Sequence, residues 1–230
     1  MREFFEESLK SPEYWADIHK IITPAVGSTI YMVFFSSLFS IVIGCILGII
    51  LYVTQKDNIL ENAPVNNIIG TIVNIGRSVP FVILMIAVFP LSKFIVGTSI
   101  GSTASIVPLT VAAIPFVARL IETSLNELDK GIIEASVSMG ANEAQIITKV
   151  MLPEAAPSII SGITITIINI IGYSAMAGTI GGGGLGDVCI RYGYQRSRTD
   201  ILIYSVIIMI VMVQIIQCIG NFFARRLDKR

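Results

Sequence analysis

Long apolar runs separated by short polar stretches dominate the chain. A helix needs about 20 predominantly apolar residues to cross the ~30 Å hydrocarbon core of a membrane, where only a helix satisfies its own backbone groups within one segment. Five runs meet this length, at residues 26–53, 68–91, 94–118, 158–180 and 201–223. The pattern predicts an all-α integral membrane protein with five transmembrane helices.

The boundary between the second and third runs is short, and Lys93 is its only charge. Prolines lie inside two of the predicted spans, at Pro80, Pro108 and Pro115. Membrane helices tolerate proline where neighbouring helices or polar side chains satisfy the freed carbonyls. We therefore expect kinks at these positions.

Composition supports a membrane protein, because 53% of the 230 residues are hydrophobic and 14% are charged, against about 25% charged in a typical soluble domain. The 16 basic and 16 acidic residues cancel. They form no cationic face of the kind that follows a phosphate backbone, so we expect no nucleic-acid partner.

Metal, disulfide and catalytic chemistry have little support. Cys45, Cys189 and Cys218 show no metal-ligand spacing, and His19 is the only histidine, so we expect neither a metal site nor a disulfide framework. No paired acids occur within the spans, and the sequence offers no catalytic constellation. We therefore predict that this chain is not an enzyme.

A glycine run follows the fourth predicted span. Gly181, Gly183 and Gly186 formally satisfy the dinucleotide-binding spacing GxGxxG, but no strand precedes them and no phosphate-binding GxxxxGK[ST] sequence occurs elsewhere. Any ATP must then be bound by another chain. The run is interpreted as a tight, flexible exit from the span that could form part of a gate, or as a simple loop.

Residues 1–25 are mainly acidic and lack the pattern of a cleaved signal peptide, so we expect them to remain on the mature protein. Two interpretations stay open: a partly ordered tail, or an amphipathic helix at the outer membrane interface. The apolar positions of that helix would be Phe4, Phe5, Leu9, Trp15 and Ile18.

Five spans place the two termini on opposite sides of the membrane. The tail "ARRLDKR" carries four basic residues, so the positive-inside rule predicts a cytoplasmic C-terminus and an external N-terminus. Three arginines, Arg191, Arg196 and Arg198, then fall in an outside loop against the rule. In this orientation the polar segment at 125–153 is cytoplasmic.

That polar segment predicts two short helices joined by a corner. A helix over residues 131–139 would end at Gly140, which adopts a left-handed conformation without steric cost. Asn142 would cap the second helix in a capping box with Gln145, and Pro153 would end it. Each helix is too short to span a membrane.

The second short helix carries an apolar stripe, formed by Ile146, Ile147, Val150 and Met151. One interpretation is an interfacial helix pair that closes a long loop. The other is a docking element that fits its apolar face into a groove of a cytoplasmic protein and passes motion to the spans.

Arg77 is an ionisable residue about ten positions into the second predicted span. Insertion scales assign such a residue about 2.5–3.5 kcal/mol at the centre of a membrane helix, so it usually faces protein or water. Arg77 would either bond helix-end carbonyls freed near Pro80 or line a path.

The fourth predicted span carries polar residues at helical spacing, with Thr166, Asn169 and Tyr173 on one face and Met176 three residues further on. Ser174 lies within the same "GYSAM" segment. These groups either bond to neighbouring spans and serve packing, or line a substrate path in which Met176 meets its counterpart in a second copy.

The polar segment "EASVSMGANEAQIITKVMLPEAAP" resembles the EAA loop of ABC-importer permeases. The similarity is carried by Glu134, Ala135, Gly140, Leu152 and Pro153, with serine at 136 instead of the second alanine. Four other stretches resemble the methionine-import permeases: "RSVPFVILMIAVFP", "VGTSIGSTASIVPLTVAAIPFVAR", "TITIINIIGYSAMAGTIGGGGLG" and "RYGY". The similarity covers nearly all of residues 26–217 and excludes the first 25 residues.

This resemblance implies a type I ABC importer permease in a bacterial cytoplasmic membrane: a homodimer of five-span subunits with 26–217 as the permease domain and 218–230 as the end of the last span and a basic tail. It implies two ATPase subunits docked on the EAA loops, which bind the ATP and Mg²⁺, and an extracytoplasmic methionine-binding protein. The chain itself would bind no cofactor. It also implies a gate at Met176 and a coupling role for Glu134, Gly140 and residues 146–151.

Two alternatives remain on the sequence alone. The first is a permease of the same type for another small amino acid, and the sequence does not separate L- from D-methionine. The second is an ATP-independent secondary carrier, a class that usually shows repeated halves or an intramembrane acid, neither of which is visible here.

Overall fold

The computed structural model describes residues 12–228. Within this range the protein is all-α, which confirms the predicted fold class. Its helices are α1 Pro12–Val53, α2 Ala63–Ser78, α3 Phe81–Val96, α4 Ser102–Asn126, α5 Lys130–Ser138, α6 Glu143–Gly178, α7 Gly184–Val188 and α8 Thr199–Leu227. Two segments have π-helical hydrogen bonding: Ile146–Met151 within α6, and Cys189–Tyr194 directly after α7.

Among the described residues, α1, α4, α6 and α8 are each long and apolar enough to cross a membrane, and α2 with α3 forms a fifth candidate that is bent by 112°. This bend departs from the kinked single helix expected over residues 68–91. Val79 is extended, with φ −82° and ψ 125°, because the ring of Pro80 disfavours helical backbone in the residue before it. The predicted span is therefore two short helices.

The next break also lies away from its predicted place. No break occurs at Lys93, since α3 continues through Pro90 to Val96. The helix ends at Gly97, which is left-handed at φ 84°, and α4 begins only after Gly101. Glycines, and not the charge at 93, therefore separate these two helices.

The bent pair α2–α3 runs from one end of the helix bundle to the other. We call the end that holds residues 125–153 the loop end and the end that holds residues 179–186 the glycine end. At its start, Asn62 donates its backbone N–H to the Thr54 carbonyl beside the loop end, at 3.1 Å. Beyond α3, the Gly101 N–H donates to the Gly181 carbonyl at 2.9 Å. A pair that connects the two ends is arranged as a broken span.

Helix α1 begins at Pro12, so residues 12–25 are neither a separate interfacial helix nor a tail. Ile18, Ile22 and Ala25 are buried against Leu185 and neighbouring residues of α7 and α8. This packing extends the first helix 14 residues beyond its predicted start at 26. The predictions for Phe4, Phe5 and Leu9 lie outside the described residues.

Close packing of α1 on α4 forms the centre of the bundle. Small residues recur every four positions along the buried face of α1, at Ser36, Ser40, Gly44 and Gly48. A Cβ atom on Gly48 would lie 2.5 Å from the Ala118 carbonyl oxygen. Small residues let membrane helices approach to backbone contact, and their association relies on such packing because lipid is as apolar as the helices.

Candidate functional site

The loop between α4 and α6 has the local structure that its sequence predicts. Helix α5 is capped by Asp129, whose Oδ1 accepts from the Gly131 N–H at 2.8 Å. Gly140 is left-handed at φ 80°. The capping box at the start of α6 is complete, because Asn142 and Gln145 each accept from the other's backbone N–H, at 2.9 and 3.1 Å. The predicted corner and cap are confirmed.

Pro153 does not end the second helix. Helix α6 continues through it from the loop to Gly178. The π-helical turn explains this, since the Leu152 N–H bonds to the Ile147 carbonyl five residues back, and such local adjustments accommodate the donor that proline lacks. The loop and the membrane helix are consequently one continuous element.

The apolar stripe on this helix faces the chain's own core. Ile146 is 2% exposed and Met151 is fully buried, packed in a cluster with Val117 and Ile121 of α4. Ile147, Val150 and Leu152 are half-buried, and Pro153 is exposed. The stripe therefore fastens the loop to α4, and its buried members are not available as a docking face.

Helix α5 and its corner form an exposed surface of the loop. Glu134, Ala135 and Gly140 are all exposed. Sequence reasoning missed Val137 and Met139, whose side chains are 53% and 80% exposed.

A cavity of about 440 Å³ lies between α5 and the hairpin that joins α1 to α2. Its lining combines charged and apolar groups, among them Lys56, Asp57, Lys130, Glu134 and Val137. The loop end therefore presents a concave surface beside the exposed face of α5.

Arg119 and Glu122, three residues apart on α4, pair with each other and take part in a partly buried polar network. The Arg119 guanidinium lies 2.6 Å from Glu122 Oε2 and donates to Asn74 Oδ1 at 2.7 Å. The second Glu122 carboxylate oxygen accepts from Gln55 Nε2 at 2.8 Å. Because these partners come from α1–α2, α2 and α4, the network holds the first half of the broken span against α4.

The residues of the predicted path face of α6 differ in exposure. Thr166 and Ser174 are buried, and their hydroxyls donate to the carbonyls of Gly162 and Ile171 at 3.0 and 2.7 Å. These two side chains are thus satisfied within their own helix and do not face outward. Asn169 is half-buried, and Met176 is 47% exposed.

Tyr173 contacts the broken span. Its ring stacks on Phe81, the first residue of α3, with centroids 4.4 Å apart and planes inclined by 10°. This contact brings the bend of α2–α3 beside the part of α6 that carries Met176.

An outward face of α6 becomes visible only in the structure. Its exposed members recur at helical spacing, and they are Ser161, Ile165, Gly172 and Met176, followed by Thr179 directly after the helix. Sequence reasoning identified only Met176, because small and apolar residues on a membrane helix do not reveal which side they face.

The glycine run is a packed element. The Leu185 N–H donates to the Thr29 hydroxyl of α1 at 2.9 Å in a buried contact. A Cβ on Gly182 would lie 2.6 Å from the Ser105 hydroxyl of α4. The run therefore joins α1, α4 and α6 at the glycine end, through contacts so close that a side chain at Gly182 would collide with its neighbours.

Charges at the glycine end are compensated. Arg198 lies 2.6 Å from Asp17 and 2.8 Å from Asp200. Hydrogen bonding to Asp200 raises the pKa of Arg198 above its ordinary value, although partial burial opposes the shift. Arg191 pairs with Asp187 at 2.8 Å. The loop arginines that departed from the positive-inside rule thus include two with acidic partners.

In the part of the chain that the structure describes, no three His, Cys, Asp or Glu side chains are grouped so that they could hold a metal ion.

Long apolar helices, with a polar helix–glycine–helix loop between two of them, define a multi-span integral membrane protein. Residues 40–230 match the family described as "Binding-protein-dependent transport system inner membrane component". The chain belongs to this family.

The relatives are similar over most of their length. A probable D-methionine transport system permease protein of Vibrio cholerae is 54% identical over 210 residues, covering 91% of this chain and 93% of the relative. A methionine import system permease protein of Bacillus subtilis is 46% identical, covering 79% of this chain and 82% of the relative.

Solved structures have the same fold. An inward-facing methionine ABC transporter chain superimposes with a TM-score of 0.90 at 42% identity, covering 96% of this chain and all of that chain. A chain of an amino acid ABC transporter superimposes with a TM-score of 0.76 at 18% identity, a level that shows the fold alone.

Proposed function

We propose that this chain is the membrane-spanning permease subunit of an ABC importer that carries methionine into the cell, and that a separate ATPase subunit supplies the energy by hydrolysing ATP. The observation that carries this proposal is the near-complete superposition on a methionine ABC transporter chain at 42% identity. ATP and Mg²⁺ belong to the partner ATPase.

The working assembly in this proposal is a homodimer with two ATPase subunits and an extracytoplasmic methionine-binding protein, placed in the lipid of a bacterial cytoplasmic membrane. The outward face of α6, with Met176 and Gly172, supports pairing with a second copy, because small residues permit close helix approach in membranes.

The exposed face of α5 is the proposed contact with the ATPase. Its apolar residues Val137 and Met139 stand beside the acidic Glu134, a mixture suited to a groove with an apolar floor and a polar rim. The buried members of the Ile146–Met151 segment act differently, by holding the loop against α4. Since α6 is continuous, a displacement of the loop passes along roughly 50 Å of helix to Met176.

Reconstitution tests the proposed function. When the tagged permease is coexpressed with the ABC ATPases encoded in the same genome, one of these ATPases should copurify with it. In proteoliposomes with the binding protein and internal ATP, it should accumulate labelled L- or D-methionine. A permease that brings down the ATPase but carries neither enantiomer would overturn the substrate. Uptake that proceeds without any ATPase would overturn the class of transporter.

The proposed orientation places the C-terminus in the cytoplasm and the N-terminus outside, in agreement with the four basic residues of the tail. An accessibility tag after Arg230 should be protected from external reagents in intact cells, and a tag near Glu3 should be labelled. Two tags on the same side would mean that α2–α3 enters and leaves the membrane on one face, which gives an even number of crossings.

A further inference from the structure

Arg77 lies near the middle depth of the bundle. A Cβ on the adjacent Gly76 would lie 2.6 Å from Pro115 Cγ, and Pro115 is 11 residues from the end of α4 at Asn126. At 1.5 Å per residue this is about 16 Å along the helix, close to half the ~30 Å hydrocarbon thickness. The guanidinium is thus carried to a depth where lipid would not solvate it.

One side of α2 is exposed and apolar, and we assign this side to lipid. Ile68, Ile72 and Ile75 form an exposed apolar stripe on one side of the helix. With 100° per residue, Arg77 is turned about 140–200° from each of these residues. Its exposed side chain therefore lies on the side of α2 opposite the lipid stripe.

Within residues 12–228, the Arg77 guanidinium makes no hydrogen bond and no ion pair. One nearby helix-end carbonyl, that of Asn74, already accepts from the Ser78 hydroxyl at 2.8 Å. The other arginine on this part of the bundle, Arg119, is held by Glu122 and Asn74. No contact therefore supports the first interpretation, in which Arg77 bonds helix-end carbonyls freed near Pro80.

The position of Arg77 is also close to the proposed path. It precedes Phe81 by four residues, so the two Cα atoms are at most about 14 Å apart. Phe81 stacks on Tyr173, which is one helical turn before the exposed Met176. Arg77 is therefore within four residues of the contact between the bend and α6, and Met176 is one helical turn from that contact.

We propose that Arg77 lines the translocation path and binds the carboxylate of the amino acid as it crosses between the two subunits. This inference rests on the proposed function, in which the substrate is methionine. A guanidinium presents a planar fork of N–H donors that matches a carboxylate. Aromatic and thioether surfaces at Tyr173 and Met176 suit an apolar, sulfur-containing side chain.

Substitution at Arg77 tests the charge. In proteoliposomes containing the complete importer, Arg77→Gln should lower the initial rate of methionine uptake about tenfold or more, whereas Arg77→Lys should retain a substantial part of it because a point charge still attracts the carboxylate. ATPase copurification and stimulation of ATP hydrolysis by the binding protein should stay within about twofold of the unmodified importer. Uptake by Arg77→Gln at the original rate would overturn the inference.

A cysteine version separates a path role from a folding role. Cys45, Cys189 and Cys218 are first replaced, and Arg77→Cys is then treated with a water-soluble methanethiosulfonate that carries either an ethylammonium or an ethylsulfonate group. The thiol should react, the cationic product should recover uptake, and the anionic product should not. The matched control is Ile75→Cys on the lipid stripe, where neither reagent should change uptake.

The outcomes are distinct. An Arg77→Cys thiol that stays unreactive in every nucleotide state, or equal uptake with both reagents, overturns the path role even if Arg77→Gln fails to assemble. If the unmodified importer carries no methionine, the proposed function fails instead. In that case, reaction of Arg77→Cys but not Ile75→Cys would still place Arg77 in water.

Discussion

Gly140→Val is expected to abolish methionine uptake while the permease remains folded in the membrane. Gly140 has φ 80° at the corner between α5 and α6, and a left-handed backbone costs an L-residue about 1–2 kcal/mol, more for a β-branched one. A Cβ at this position would meet nothing within 4 Å, so the effect acts through the backbone alone. The corner would open and turn α5 away from its place beside the α1–α2 hairpin.

The measurement compares three quantities in Gly140→Val: the amount of permease in the membrane, ATPase copurification and methionine uptake. The first should be unchanged and the other two should fall. Gly140→Asn is the matched control, because asparagine tolerates the left-handed conformation and adds a similar volume. Normal coupling in the valine variant, or equal loss in both variants, would reject a role for the corner geometry in coupling.

Met176→Ala is expected to uncouple ATP hydrolysis from uptake or to make the importer leak. Met176 is 47% exposed on the outward face of α6, and in the proposed dimer it meets its counterpart near the symmetry axis. An unbranched thioether fills an irregular gap without locking into one rotamer, so its truncation leaves a hole. Assembly with the ATPase should be intact, since the loop at the other end of α6 is untouched.

Crosslinking tests the geometry behind this prediction. In a cysteine-free background, Met176→Cys should form a disulfide between the two subunits under mild oxidation, which requires Cβ atoms about 4 Å apart. The matched control is Ser174→Cys, because Ser174 is buried against its own subunit and should not crosslink. Loss of the Met176→Cys crosslink on adding ATP would support a gate. Absence of the crosslink in every state, together with normal coupling in Met176→Ala, would return Met176 to a packing role.

The broken span α2–α3 is attached to the rest of the bundle on both sides of its bend. The Arg119–Glu122 network fixes α2 at one side of the bend, and the Phe81–Tyr173 stack joins α3 to α6 at the other. A movement of α6 is therefore transmitted directly to the start of α3. The bend therefore lies beside the region in which Arg77 and Met176 are proposed to act.

The sequence by itself determined the features that depend on neighbouring residues. Helical capping needs only a side chain that reaches a backbone three residues away, so the Asn142–Gln145 capping box could be predicted, and so could the left-handed corner at Gly140. The all-α membrane class followed from apolar runs, because helix formation satisfies every backbone group within one segment.

Only the tertiary structure decided which side of each helix faces inward. In water an apolar stripe marks the buried face, but in a membrane lipid and protein interior are equally apolar, so hydrophobicity does not separate them. For this reason Ile146 and Met151 could be mistaken for a docking face, and Thr166 for a path residue. The effects of two prolines likewise depended on the partners that stabilise each helix. Helix α6 continues through Pro153, because a π-helical turn accommodates this proline. At Pro80 a new helix begins instead, after a bend of 112° that follows Ser78.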